Sequence, residues 1–126
     1  MIETPSVAKP REGTWLWLFK IVAGLMIVIL LGIHFVVNHL VAPAGLLTYA
    51  DVVRYYTIPF VPVMEILFLV FVIAHALVGL RGILLDLNPS DAVLRAADIL
   101  FILIGAGFSI YGIWLVWAIV QQGRAL

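Results

Sequence analysis

Polar positions along the chain cluster into a few short stretches, and between them run three segments in which nearly every residue is apolar. Ile21 to Val37 is almost unbroken aliphatic and lacks the period-two alternation that a barrel strand shows over about 10 residues. Continuous apolar runs of this length predict helices, at about Thr14–Ala42, Ile58–Leu85 and Asp91–Gln122. Each is longer than the roughly 20 residues a helix needs to cross hydrocarbon. Lipid offers no partner to backbone N–H and C=O groups, and a helix satisfies them internally.

The breaks between the runs carry their own chemistry. Pro43 and Gly45 close the first helix, and Pro59 falls in the opening turn of the second. Asn88-Pro89-Ser90 separates the second from the third, with Ser90 or Asp91 as N-cap. The stretch from Leu46 to Thr57 holds Tyr49, Arg54, Tyr55 and Tyr56, a composition suited to a short interfacial helix. Residues 1–13 contain Pro5, Lys9, Pro10 and Arg11 without apolar periodicity, and are expected to be an irregular cytoplasmic segment. Residues 14–126 are expected to form one three-helix transmembrane domain. The first apolar run, about 25 residues, outlasts the 7–15 of a signal-peptide core, so it is expected to stay in the mature chain.

Composition agrees and narrows the possibilities. The 126 residues are 65% hydrophobic and 11% charged, with a mean hydropathy of +1.22, which excludes a water-soluble globule. A formal charge of zero without a basic cluster gives no footing for nucleic acid. There is no cysteine, hence no disulfide, iron–sulfur cluster or thioether-attached haem, and any metal ligand must be nitrogen or oxygen. Lys9, Arg11, Lys20, Arg81 and Arg95 gather at one side of the spans, against Arg54 and Arg124 at the other, which predicts a cytoplasmic N-terminus. Trp15 and Trp17 at one interface and Trp114 and Trp117 at the other fit aromatic anchoring belts. Gly105, Gly107, Ser109 and Gly112 describe a close-packing face on the third helix.

Two histidines, His34 and His75, lie within the apolar runs, where polar side chains are costly and usually face a functional interior. A neutral imidazole is a common haem ligand and buries no net charge. Each ring is equally able to hydrogen-bond across a helix interface. At 100° per residue His75, Gly79, Gly82 and Asp86 share one stripe, and a glycine beside a histidine leaves room for a flat macrocycle. Arg81, near the end of that helix, suits a haem propionate, a pairing with Asp86 or simple anchoring. The stripe through His34 includes Lys20, Ala23, Ile27, Leu31 and Asn38. Asn38 is placed to support a cofactor or to bond another helix, and His39 points elsewhere, toward an interfacial or propionate-contacting role. Glu65 is read as the one acidic residue deep enough to be informative, either handling a proton or snorkelling near the mouth of its helix.

Depth separates the two histidines. At 1.5 Å per residue His34 lies roughly 25–30 Å from the cytoplasmic start of the first helix, and His75 only about 15 Å from the cytoplasmic end of the second. One iron cannot then take both rings from this chain. Each ring is expected to need a histidine from a partner, giving two haems stacked across the membrane.

The residues His75, Gly79, Arg81 and Asp86, with Trp15 and Lys20 ahead of a histidine in the first helix, resemble the cytochrome b membrane-anchor subunits of succinate dehydrogenase and fumarate reductase. The likeness runs over nearly the whole membrane part and is nearest to the two-subunit, two-haem type. It implies His75 and His34 as axial haem b ligands, Arg81 beside a propionate, and a second anchor subunit completing the helical bundle. It also implies an iron–sulfur subunit, a flavoprotein subunit and quinone as partners, in a prokaryotic cytoplasmic membrane. Quinone contacts would fall at Lys20, Trp17 and Asp86. The family's Arg-x-Ser-Gly pattern is replaced here by Lys20-Ile21-Val22-Ala23-Gly24, without the serine, and Leu87 follows Asp86 where some members have tyrosine. The rival expectations are a haem-free structural anchor, a subunit of another b-type cytochrome, and half of a small transporter.

Overall fold

The structure, a computed structural model, describes residues 13–41 and 48–125. Three long helices run antiparallel: α1 (Thr14–Val36), α3 (Phe60–Asp86) and α4 (Asp91–Arg124), with a short α2 (Tyr49–Tyr55) between the first two. From Val37 to Val41, α1 winds on into a π turn. All three long helices have the length and apolar composition to cross a membrane, as the hydrophobic pattern predicts. The expected ends at Pro43, Gly45 and Ala42, the start at Leu46 and the segment before Gly13 lie outside the described residues.

Local chemistry explains the boundaries. α2 starts in a capping box, in which the Thr48 hydroxyl accepts from the Asp51 N–H and the Asp51 carboxylate accepts from the Thr48 N–H. Pro59 is the N-cap of α3, whose first residue, Phe60, is two residues later than the expected start at Ile58. The chain leaves α3 through Asn88, whose φ of 54° is left-handed, a conformation asparagine tolerates at a helix end. Pro89 prevents continuation, and the Ser90 hydroxyl caps α4 by accepting from the Val93 N–H at 3.4 Å.

α3 is the central helix and packs on α1 along one side and on α4 along the other, while α2 rests on α4. Small residues set these approaches. At Gly105 a Cβ would meet Leu77 at 2.8 Å, and at Gly112 it would collide with Leu69. Gly123 lets α2 close in, since a Cβ there would lie 3.1 Å from the Val53 carbonyl oxygen. Gly107 does not share this face, because 200° of rotation separates it from Gly105 and a Cβ there meets nothing within 4 Å. Only 6% of each span is buried inside the chain, so most of each helix surface is left for lipid or another subunit.

The helices define a near end, where α1 starts, α3 ends and α4 starts, and a far end, which holds α2 and the opposite helix termini. Replacing Gly112 by isoleucine is expected to force Leu69 out of the α3–α4 contact and to destabilise the unit by about 1–3 kcal/mol, measured by unfolding in detergent micelles.

Candidate cofactor-binding site

At the far-end half of the α1–α3 interface, His34 Nδ1 lies 2.8 Å from Glu65 Oε1, across the two helices. Asn38, one turn beyond His34, brings its Nδ2 to 3.0 Å from the same ring nitrogen. Phe68, one turn beyond Glu65, stacks on the ring at a centroid distance of 5.5 Å and an interplanar angle of 30°. Asn38 is buried and the Glu65 side chain only 11% exposed, whereas the His34 side chain is 33% exposed. The ring is thus held from inside and open outward.

Nδ1 carries either a proton or a lone pair, so it cannot donate to Glu65 and accept from Asn38 at once. With Nδ1–H donating to the carboxylate, Nε2 keeps its lone pair and can ligate a metal. With a protonated Glu65 donating to Nδ1, Nε2 carries the hydrogen and cannot.

His75 sits at another level and in another environment. Its ring packs against α1 at Gly24, where a Cβ would lie 3.2 Å from Cε1. Its Nδ1 is buried and has no hydrogen-bond partner among the described residues, at a cost of about 1–3 kcal/mol. One turn further, Gly79 faces open space, since a Cβ there meets nothing within 4 Å. An imidazole beside an open glycine fits a flat macrocycle.

The contacts Gly24–His75 and His34–Glu65 give one antiparallel register, in which His34 is level with Glu65, ten residues before His75. At 1.5 Å per residue the two rings are offset by roughly 15 Å along the helix axis. Among the described residues no three His, Cys, Asp or Glu side chains converge as a bare metal ion would need. A macrocycle needs only one axial ring per side, and the two histidines fit that requirement separately.

Arg81 lies on the α4 side of α3, about 120° round from His75. It is bound to Asp98 rather than to Asp86, with Nε donating to Oδ1 at 2.7 Å and Nη2 donating to Oδ2 at 3.2 Å. The fork-to-fork pair borders a cleft of about 520 Å³ between α3 and α4, walled mainly by apolar side chains such as Ile73, Leu77 and Phe101, with Ser109 and, from α1, Leu16. Trp17, Lys20 and Asp86 lie in the near-end layer, Trp17 and Asp86 exposed, away from the His34 cluster. His39 is exposed and tilts against Phe35 at 5.0 Å, turned away from that cluster too.

Three pairings escape the sequence. Asp98 lies seven residues inside α4, so Glu65 is not the only deep acid; only the facing of α3 and α4 gives it a role. Glu65 meets His34 across 31 residues of sequence. Gly24 seats His75 from a different helix. No helix periodicity carries such pairings, although the cost of an acid in an apolar run signals that a partner exists.

The chain matches the family of the succinate dehydrogenase/fumarate reductase transmembrane subunit over residues 4–113. It is similar to the succinate dehydrogenase hydrophobic membrane anchor subunit of Archaeoglobus fulgidus, with 34% identity over 119 residues, covering 94% of this chain and 100% of that protein. No solved structure matches it.

Removing Asp98 leaves Arg81 without its fork partner, and Asp98→Leu is expected to lower stability by about 1–3 kcal/mol. A double-mutant cycle with Arg81→Leu, in which the pair of substitutions costs less than the sum, checks this. At the far end, outside the spans, Tyr55 and Tyr56 are pushed up from 10.0 to about 12, chiefly by burial and then by the nearby Glu65 charge. A phenol whose pKa is raised by folding leaves stability intact below pH 10 and loses it as pH rises from 10 to 12. Ultraviolet titration should find both phenols protonated at pH 11, ionising only above it.

Proposed function

Because the chain belongs to the succinate dehydrogenase/fumarate reductase transmembrane-subunit family, and so is a multi-pass membrane anchor, we propose that it binds haem b for electron transfer to quinone. The observation that carries this reading is the placement of two imidazoles at two levels of the apolar layer, His34 and His75, neither of which has an Nε2 hydrogen bond among the described residues. With one ring at each level, this chain would supply one ligand to each of two haems, and a second anchor subunit would supply the other.

When bound, a haem b supplies a one-electron carrier between the iron–sulfur subunit and quinone. The work of this chain is to hold it. His75 is the near-end ligand, and Gly79 leaves the space beside it. His34 is the far-end ligand, steadied by Asn38 and Phe68, with His39 close to that interface. Arg81 presents a guanidinium near the His75 level for a propionate while Asp98 fixes its orientation. The near end, cytoplasmic by the distribution of Lys and Arg, docks the flavoprotein and iron–sulfur subunits, and Lys20, Trp17 and Asp86 border the quinone there.

The hydrogen bond from α1 to α3 through His34 and Glu65 also favours a second reading, a haem-free anchor in which that pair only clasps the helices. Dithionite-reduced absorption spectra of the native complex separate the two. The haem reading expects a b-type band equivalent to two haems, with His34→Ala and His75→Ala each removing one. Complete loss in both variants would point to a single shared site, and absence of the band in the native complex would leave the haem-free anchor.

A further inference from the structure

We propose that Glu65 is a positioning residue for the far-end haem ligand, fixing the tautomer and aim of His34 so that Nε2 is presented outward. This rests on the haem reading above and adds to it a residue that touches neither iron nor macrocycle.

Two constraints from α3 meet on the His34 ring: Glu65 Oε1 lies 2.8 Å from Nδ1, and Phe68 covers a face of the ring. With Nδ1–H donating to Glu65, the Asn38 amide nitrogen that borders the same atom from α1 makes no bond to it. A ring held at one nitrogen and one face has a single orientation left, with Nε2 on the side away from Glu65. A metal-ligating histidine characteristically donates its second ring N–H to a carboxylate or carbonyl, which sets the tautomer and strengthens the ligand.

The choice of residue favours positioning over mere clasping. A carboxylate in an apolar run is costly, and a neutral amide would tie two helices together at less expense. Glutamate's distinctive contribution is a negative acceptor, which adds imidazolate character to the ring and favours ferric over ferrous iron. His75 has no such partner: its Nδ1 is unbonded, and Gly24 only gives it room. The two haems should therefore differ, with the one on His34 at the lower reduction potential.

The test uses the native complex with Glu65→Gln and Glu65→Leu, reading haem content by pyridine haemochrome, each haem's potential by redox titration, and low-spin ferric signals by electron paramagnetic resonance. The haem lost in His34→Ala identifies the far-end signal. Glu65→Gln keeps an acceptor, and is expected to retain both haems while shifting only the far-end potential upward. Glu65→Leu is expected to weaken far-end haem binding about 10–100-fold, with near-end content and potential unchanged. If the native complex shows both haems and Glu65→Gln moves neither potential nor ferric signal, Glu65 has no positioning role and the haem reading stands. If Glu65→Gln shifts both haems equally, the effect is general to the fold and the proposal is overturned. A native complex without b-type haem overturns the haem reading itself, and the inference with it.

Discussion

Two contacts between α1 and α3, His75 against Gly24 and His34 against Glu65, share one antiparallel register, and the depth of every polar group in the interface follows from it. Sliding α1 by a turn would put a side chain from a neighbouring position where His75 now uses the bare backbone of Gly24, and would leave Glu65 facing aliphatic carbon. The steric contact and the polar contact lie ten residues apart on each helix, so neither can be kept while the other is lost. Apolar side chains give little register of their own in lipid, where one aliphatic surface packs about as well as another. Polar pairs and glycines do that work instead.

The same logic governs α3 and α4. Arg81–Asp98, Leu77 at Gly105 and Leu69 at Gly112 succeed one another along the contact, a fork-to-fork ion pair at the near end and two leucine-into-glycine contacts deeper in. α3 therefore carries one face of histidine chemistry toward α1 and another of packing and charge toward α4. The unit remains open, with few residues buried and the apolar surfaces of all three long helices outward. The His34 ring is partly open to the outside, whereas the His75 ring is buried at Nδ1.

Much of this was legible in the order of residues. Three apolar runs, the caps at Ser90 and Pro59, and the short helix after Thr48 follow from hydropathy, proline and the hydrogen-bonding habits of serine and threonine, all local properties. The unequal depths of His34 and His75 follow from helical rise alone, because the expected start of the first helix and end of the second agree with the structure to within one residue. Composition groups Gly107 with Gly105 and Gly112, and rotation about the helix separates it. For Arg81 the sequence leaves a propionate, Asp86 and simple anchoring open, and the structure pairs it with Asp98 on the next helix.

By itself, then, the sequence determined the three spans, their breaks and the two levels at which imidazoles stand, since these depend on residue type and on a fixed rise per residue. Only the tertiary structure decided that Glu65 belongs to His34, Asp98 to Arg81 and Gly24 to His75. Those pairings depend on the register and facing of one helix against another, which no single helix encodes.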